Sequence, residues 1–292
     1  MDASTSSSFI DSKPKLIYGK IVWSGGPSIR QNFSLPESIM FYMARNPSTA
    51  EVYNKLIQTC KYFFEKHPIL VVADIYGNTK ICPNEDCLGN EECCVKIDLN
   101  KFSSKFWFTN MIFPHDSNTS SILCSKIYRC ENSTLKLFDQ NLMYNNFKLL
   151  ASSAKNVELV DVKITNADGS MVMLETIFET VQNVEKFCYA FGDNSSVVTP
   201  SAVIATLRKL GNLTELVLYN IPELPNLEDF SAFIKDPVDI KFSLWFHNNL
   251  SEEYKTQLNV LVDDIVASGL PNRLIWYEGQ NEENRKIMFK RR

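Results

Sequence analysis

Residues 212–218 read NLTELVL, and two earlier stretches have the same outline: NVELVDV at 156–162 and NVEKFCY at 183–189. Each stretch begins with an asparagine, and successive asparagines lie 27 and 29 residues apart. Apolar side chains occupy the first, fourth and sixth places after each asparagine: Val157, Val160, Val162; Val184, Phe187, Tyr189; and Leu213, Leu216, Leu218. A self-similar period of this length predicts one supersecondary unit that recurs along the chain.

The spacing of these apolar residues resembles the L-x-x-L-x-L strand pattern of leucine-rich repeats. Poorer copies follow at 238–246 and 272–279, and TLKLF at 134–138 has the outline of an earlier strand. Helical spacing precedes two of the strands: Ile177, Phe178 and Val181, and then Ile204, Leu207 and Leu210. A helix–strand unit cannot cover its own apolar face, so neighbouring units must stack. We therefore expect an α/β fold in which residues 131–292 form a short leucine-rich-repeat-like solenoid with parallel strands and outer helices.

The exposed strand positions of this predicted solenoid should point together into a concave face. Taken singly, each is an ordinary surface residue, and only the set indicates a binding face for a target protein. The predicted target-binding residues are Glu158, Asp161, Glu185, Lys186, Thr214, Glu215 and Tyr219.

Two helix-start signals lie near the N-terminus. Residues 34–37 (SLPE) and 48–51 (STAE) have the form S-x-x-E, in which the serine caps the first turn and the glutamate reaches back. Pro47 and Pro68 each disfavour helical geometry at the residue before them. The sequence therefore predicts two helices, over about 35–45 and about 49–66, which begin with these capping boxes.

The second predicted helix has two adjoining apolar stripes at helical spacing: Val52, Leu56, Cys60 and Phe63, and Tyr53, Ile57, Cys60 and Phe64. Together they are wider than a helix with one buried face requires. One interpretation is a helix wedged between two elements of its own domain. The other is that one flank binds another protein.

Two segments of this region resemble the F-box. Leu35-Pro36 followed by Ile39 resembles the opening of its first helix, and LIQTCKYF at 56–63 resembles a segment on a later helix. The chain looks similar to the large F-box-like families expanded in nematodes, whose F-box docks on a Skp-type adaptor of cullin ubiquitin ligases. The resemblance implies a Skp-type adaptor and its cullin complex as partners. The implied adaptor-binding residues are Leu35, Pro36, Ile39, Leu56, Cys60, Lys61 and Phe64.

Four of the eight cysteines lie in CPNEDCLGNEECC: Cys82, Cys87, Cys93 and Cys94. Thiolates suit zinc, but structural zinc sites favour C-x2-C pairs, and adjacent cysteines are poorly placed to bind one ion. Zinc and free loop thiols are both open here, and free thiols are the expected state. The N-terminal stretch lacks the apolar core of a signal peptide, so we expect the cytoplasm or nucleus, where all eight cysteines stay reduced.

The chain divides into four predicted parts: a flexible N-terminal segment at 1–33, an F-box-like helical module at 34–72, a linking region at 73–130 and a leucine-rich-repeat-like domain at 131–292. The linking region contains the cysteine-rich loop and an aromatic cluster of Phe102, Phe106, Trp107 and Phe108. This cluster predicts a layer packed on the C-terminal core rather than an exposed platform for a ligand.

Several classes of function lack support in the sequence. A net charge of −4 and a pI near 5.6 do not indicate nucleic-acid binding, and no apolar run is long enough to span a membrane. His67, His115 and His247 are not in metal-ligand spacing, and the glycine-rich and nucleophile-elbow motifs of common enzymes are missing. We therefore expect no catalytic activity, no metal and no cofactor.

The combined expectation is a non-enzymatic substrate-recognition adaptor. Its F-box-like helices dock on a Skp-type adaptor, and its repeat domain binds an unidentified target protein. The alternative is a structural or scaffold interaction protein without a ubiquitin-ligase link, in which the helices cap the solenoid. A hydrolase is the third interpretation, because sequence alone does not show which carboxylates lie close together.

Overall fold

The computed structural model describes residues 14–17, 20–23, 33–77, 80–83, 94–192, 200–236 and 239–292. Its strands are β1 (Pro14–Ile17), β2 (Lys20–Trp23), β3 (Ile69–Tyr76), β4 (Lys80–Cys82), β5 (Val95–Lys96), β6 (Lys105–Phe113), β7 (Ile127–Cys130), β8 (Thr134–Met143), β9 (Asn156–Thr165), β10 (Lys186–Ala190), β11 (Glu215–Ile221), β12 (Lys241–Phe246) and β13 (Arg273–Trp276). Its helices are α1 (Glu37–Arg45), α2 (Ala50–Thr59), α3 (Lys61–Lys66), α4 (Ser117–Lys126), α5 (Tyr144–Ala151), α6 (Leu174–Thr180), α7 (Pro200–Leu207), α8 (Leu227–Lys235), α9 (Glu252–Ser268) and α10 (Glu282–Lys290).

Eleven strands form one sheet in the order β13-β12-β11-β10-β9-β8-β6-β3-β4-β5, with β7 as an additional partner of β6. Neighbouring strands are parallel from β13 to β3, whereas β4 and β5 are antiparallel at one edge. β1 and β2 pair with each other as a separate antiparallel ribbon. The fold is therefore α/β with a mostly parallel sheet, as predicted, and strands alternate with helices from β8 to β13.

The main core lies between the sheet and α4–α9. Two rows of buried side chains cross five adjacent strands: Leu135, Val157, Phe187, Leu216 and Phe242, and then Leu137, Leu159, Tyr189, Leu218 and Leu244. The helices contribute large apolar side chains to the same core: Leu123, Phe147, Phe178, Leu207, Phe233 and Leu258. Burial of each such side chain stabilises the fold by about 1.5–3 kcal/mol relative to exposure, which accounts for stacking of units that cannot fold alone.

Asn183 and Asn212 lie at equivalent places of their units, as predicted, but Asn156 does not. Asn156 pairs with Lys186, which lies three residues beyond Asn183. Val160 consequently points away from the helices and is half-exposed, while Leu159 takes the buried place. The prediction that Val160 belongs to the buried set is wrong.

A left-handed residue also interrupts the alternation of side chains within the strand. Three strands carry one: Asp139 (φ 50°), Asp161 (φ 53°) and Asn220 (φ 53°). Asp and Asn adopt this conformation at lower cost than other residues with a β-carbon. In β9 the alternation of buried residues slips by one place at Asp161, so Val162 returns to the side that faces the helices. Because the alternation slips at Asp161, Val157 and Val162 face the same side although they are five residues apart. A strand with such an irregularity therefore resembles the predicted pattern of Val157, Val160 and Val162.

The N-terminal helices also differ from the prediction. The expected helix over 49–66 is two helices, α2 and α3, because Cys60 adopts extended geometry (φ −155°, ψ 130°) and its sulfur accepts from Tyr62 N. The cap of α2 is Thr49, whose hydroxyl accepts from Val52 N at 3.2 Å, and not Ser48. α1 begins after Pro36 without a side-chain cap, so the predicted role of Ser34 is also wrong.

The helices α1–α3 are fixed to the side of the sheet opposite α4–α9. Phe106 and Phe108 belong to the main core, so Trp107 between them points to the other side, where it packs on Tyr53. Tyr53 is fully buried, and its hydroxyl donates to His67 O at 2.7 Å. Arg129 of β7 donates to the backbone oxygen of Pro47 at 3.3 Å. Aromatic packing and hydrogen bonds together hold this helical module on the sheet.

Residues 73–130 contribute strands to the same sheet as residues from 134 onward. β3 and β6 continue the parallel order beyond β8. Phe102, Phe106 and Phe108 are buried in the main core as predicted, whereas Trp107 packs on the opposite side of the sheet with the helical module. One continuous sheet therefore spans residue 131, where the linking region was predicted to end and the repeat domain to begin.

Cys82 and Cys94 form a disulfide, with Cα atoms 4.5 Å apart. The expectation that all eight cysteines are reduced is wrong for this pair, because antiparallel pairing of β4 and β5 brings the two ends of the cysteine-rich segment together. Cys87 and Cys93 lie outside the described residues. In the described part of the chain, no three His, Cys, Asp or Glu side chains are grouped as metal ligands. No helix of that part is both long and apolar enough to cross a bilayer.

Candidate interaction surfaces

The side of the sheet opposite α4–α9 is the open face. Alternation along β8–β12 directs one set of side chains to it: Lys136, Phe138, Glu158, Val160, Lys186, Cys188, Ala190, Glu215, Val217, Tyr219, Lys241 and Trp245. The module of α1–α3 covers β3 and β6 at one end of this face. At the other end α10 packs on β13, where Leu274 and Ser243 are fully buried. Between the two ends, the side chains from β8 to β11 are mostly half-exposed.

Charged side chains on the open face pair with one another across the strands. Lys136 lies 2.8 Å from Glu158, and Glu215 lies 3.8 Å from Lys186 and 3.5 Å from Lys241. Exposed ion pairs of this kind contribute little to stability, typically about 0–1 kcal/mol each. Two lysines share the single carboxylate of Glu215, so this part of the face has an excess of positive charge.

The structure brings together four of the seven predicted target-binding residues. Glu158, Lys186, Glu215 and Tyr219 project from the open face. Asp161 instead occupies the left-handed position near the end of β9.

The remaining two predicted residues, Glu185 and Thr214, precede their strands. The backbone oxygen of Glu185 accepts from Thr214 N at 2.8 Å and from the Thr214 hydroxyl at 2.9 Å. Their visible role is to join successive units of the sheet.

An aromatic patch stands at the α10 end of the open face. It consists of Tyr219, Trp245, Trp276 and Phe289. The Trp245 ring lies 5.9 Å from Tyr219, 5.5 Å from Trp276 and 6.5 Å from Phe289, measured between centroids. Tyr219 is 39% exposed and Phe289 is 44% exposed, so the patch is accessible.

Sequence reasoning identified only Tyr219 of this patch. The signal for two others was present, because both tryptophans directly follow a buried strand residue in the poorer repeat copies, Leu244 and Ile275. Trp245 and Trp276 are paired in the sheet register. Extension of the repeat alignment to these copies would have found them, whereas Phe289 belongs to a helix outside the repeat.

A groove of about 650 Å³ runs along the carboxyl ends of the parallel strands. Asp139, Asp161 and Asn220 line it with their left-handed backbones, and His247 stands at its far side. The imidazole Nδ1 of His247 accepts from Asn249 N at 3.0 Å, so it serves the local turn. His67 and His115 belong to other parts of the molecule, near Tyr128 and Phe113 respectively.

Burial raises the pKa of three free thiols, Cys188 and Cys130 in the sheet and Cys124 in α4. Burial raises the pKa of the Cys188 thiol to about 12, and neighbouring Glu158 acts in the same direction. Burial likewise raises the pKa of Cys124 and Cys130 to about 12. A nucleophilic cysteine requires a thiolate near neutral pH, so these three residues lack the property needed for covalent catalysis.

An apolar patch lies on the outer side of α1. Leu35, Ile39 and Tyr42 follow one another at helical spacing and are 45%, 45% and 66% exposed. Phe41 on α1 and Val52 on α2 are also exposed, so five of the eleven exposed large apolar residues in the described chain fall within residues 35–52. We call these five residues the α1 patch. A concentration of this kind on a folded surface indicates an interaction site.

The inner side of α1 packs within the helical module. Met40 and Ala44 form a small core with Cys60 and Phe63, and Leu56 packs against it. This arrangement satisfies the buried face of α1 without any contribution from the α1 patch.

The predicted adaptor-binding residues are divided between surface and interior. Leu35, Pro36 and Ile39 are exposed, Leu56 and Lys61 are half-exposed, and Cys60 and Phe64 are buried.

Apart from Val52, which is 39% exposed, the two apolar stripes of the second predicted helix pack inside the protein. Leu56, Cys60 and Phe63 pack toward α1, whereas Tyr53 and Ile57 pack toward the sheet. The packing of Leu56, Cys60 and Tyr53 matches the interpretation of a helical segment wedged between two elements of its own domain. Most of the exposed apolar surface of the module belongs to α1.

Comparison with known proteins adds no relative to this description. No protein-family model matches the chain, and no curated protein matches it.

Proposed function

We propose that the protein is a non-enzymatic substrate-recognition adaptor. Its F-box-like helices dock on a Skp-type adaptor of a cullin ubiquitin ligase through the α1 patch, and its open face receives a target protein. The observation that carries the proposal is the exposure of Leu35, just before α1, and of Ile39 and Tyr42 on α1, whose opposite side is already buried. The proposal places the protein in the cytoplasm or nucleus.

Apolar side chains that remain in water have a free-energy cost, which a partner that covers them removes. Desolvation of apolar surface contributes about 25 cal/mol per Å², and truncation of side chains at the centre of an interface often costs about 2 kcal/mol or more. Leu35 and Ile39, at 45% exposure each, have apolar area to contribute. These residues also coincide with the Leu-Pro-x-x-Ile segment that resembles the first helix of an F-box.

The target-binding half of the proposal treats the parallel sheet as a short leucine-rich-repeat-like solenoid. In-register rows of buried residues and recurrent left-handed residues at Asp139, Asp161 and Asn220 support a repeated unit. A face without covering helices, with half-exposed apolar and charged side chains, suits a protein partner better than a small substrate.

The test is calorimetry of the purified chain with a purified Skp-type adaptor at micromolar concentration. We expect binding by the natural sequence and a loss of about tenfold or more for Leu35→Ala with Ile39→Ala, since each truncation removes anchor area. Val260→Ala is the matched apolar control, because Val260 is 59% exposed on α9. Lys55→Ala is the polar control on α2. Absence of binding by the natural sequence contradicts the adaptor function.

One observation favours the structural or scaffold alternative. Cys60 and Phe64, which the F-box resemblance assigns to adaptor binding, are buried inside the protein. A scaffold whose helices close one end of the sheet would leave adaptor binding undetectable while retaining the fold. Unfolding of the whole chain by the Leu35 and Ile39 replacements would also favour this alternative.

A further inference from the structure

We infer that the aromatic patch binds an extended acidic peptide segment that contains aromatic or aliphatic anchor residues. This inference rests on the proposed target-binding role of the open face and specifies the chemistry of the target. It depends on three observations: accessible rings, nearby cations that outnumber the carboxylates they pair with, and the placement of both beside half-exposed strands.

The rings provide the anchor site. Tyr219 and Phe289 flank Trp245, and Trp276 completes a continuous aromatic surface. Aromatic side chains bury large area at low entropic cost, and Trp and Tyr are enriched among the residues that dominate protein interfaces. Phe289 at the end of α10 is 44% exposed and adds accessible apolar area to the rings beside it.

Positive charge surrounds the rings. Lys290 and Arg292 lie at the end of α10, and within the described residues neither is within 4.0 Å of a carboxylate. Burial raises the pKa of Tyr219, the carboxylates of Glu158 and Glu215 act in the same direction, and Arg292 acts in the opposite direction. Lys186 and Lys241 share the carboxylate of Glu215 below the patch.

The sign of this local charge is opposite to that of the whole chain. The net charge of the protein is −4, whereas the cations around the patch outnumber the paired carboxylate. Electrostatic complementarity therefore favours an acidic partner at this surface and disfavours one with basic residues. Aromatic rings beside cations also suit single-stranded nucleic acid, but the acidic chain as a whole repels a polyanion of any length.

The experiment is selection of a displayed library of random short peptides on the full chain. We expect enriched peptides to carry Asp or Glu next to Phe, Trp or Leu, and their affinity to fall as salt rises. Fluorescence anisotropy of the selected peptides then measures two variants. We expect Tyr219→Ala with Phe289→Ala to weaken binding by about tenfold, and Arg292→Glu to weaken it in low salt more than in high salt.

Matched controls separate the patch from the rest of the molecule. Val260→Ala removes an exposed apolar side chain elsewhere, and Lys163→Glu reverses an exposed charge on β9, so both should bind the selected peptides normally. All altered residues are at the surface, and circular dichroism should show folded protein in every case.

Three results would overturn the inference: no enrichment, enrichment of basic peptides, or tighter binding of a single-stranded oligonucleotide through the same residues. The adaptor-binding test distinguishes a failure of this inference from a failure of the proposed adaptor function. The variant with Leu35→Ala and Ile39→Ala should lose the Skp-type adaptor and keep peptide binding, because the α1 patch and the aromatic patch lie at opposite ends of the open face.

Discussion

Replacement of Tyr53 by phenylalanine tests how the helical module is attached to the sheet. The hydroxyl of Tyr53 donates to His67 O at 2.7 Å and accepts from Ile69 N at 3.0 Å. Both Tyr53 and Ile69 are buried, at 0% and 1% exposure. The replacement retains the ring and its contact with Trp107, so it removes the two hydrogen bonds and little packing.

The expected cost follows from the group that is left without a partner. A buried backbone N–H that loses its acceptor costs about 1–3 kcal/mol, and the cavity left by a single oxygen adds little. We therefore expect Tyr53→Phe to lower the free energy of unfolding by about 2 kcal/mol. The strand that follows the helical module, β3, begins at Ile69. The lost hydrogen bonds therefore lie where the module joins the sheet.

Urea denaturation monitored by circular dichroism and tryptophan fluorescence measures this cost. Trp107 reports the junction locally, since its ring centroid lies 6.5 Å from that of Tyr53. Tyr42→Phe is the matched control, because Tyr42 is 66% exposed, and we expect a change within about 0.5 kcal/mol. If Tyr53→Phe also changes stability by less than about 0.5 kcal/mol, the two hydrogen bonds do not fix the module and the reasoning is refuted.

Three further predictions concern the sheet and its pH dependence. Leu216→Ala should destabilise the protein by about 2–5 kcal/mol in urea denaturation, because Leu216 is fully buried, whereas Val217→Ala on the open face should cost clearly less; equal costs would contradict the assigned faces. Asp161→Ala should lower stability by about 1 kcal/mol through its left-handed backbone and Asp161→Gly should not, so equal melting temperatures for the two variants would argue against the bulge. Burial raises the pKa of Tyr53 and Tyr254 to about 12. Unfolded tyrosines are protonated below about pH 10, so the contribution of the two hydroxyls to the free energy of unfolding should be constant there and should fall as the pH rises toward about 12. An unchanged free energy of unfolding between these two pH values would contradict burial of the hydroxyls.

The sequence was sufficient for the βα alternation and insufficient for its register. Leu216, Leu218 and Phe187 are buried as predicted, because a strand covered by helices on one side needs apolar residues at every second place. The left-handed turn at Asp161 breaks that alternation without any change in hydrophobicity, so Val160 was assigned to the wrong side.

The candidate surfaces could be predicted only in part, for a similar reason. The break at Cys60 depends on a backbone conformation that helical spacing does not reveal, and it turns both apolar stripes inward. The disulfide between Cys82 and Cys94 depends on the pairing of two short strands. By contrast, Leu35 and Ile39 were identified from the Leu-Pro segment, and Tyr219 from the repeat.

The attachment at Tyr53 links the two proposed surfaces mechanically. β6 carries Trp107, against which the helical module packs, and β12 carries Trp245 of the aromatic patch. Five strand-to-strand steps separate β6 from β12, and at about 4.8 Å per step the two strands lie about 24 Å apart within one hydrogen-bonded sheet. Such a sheet resists changes in this distance, so under the proposed function a Skp-type adaptor and an acidic target segment are held at a fixed separation. Under the same proposal, a looser junction at Tyr53 would impair ubiquitin transfer to the target while leaving the affinity for the adaptor and for the target unchanged.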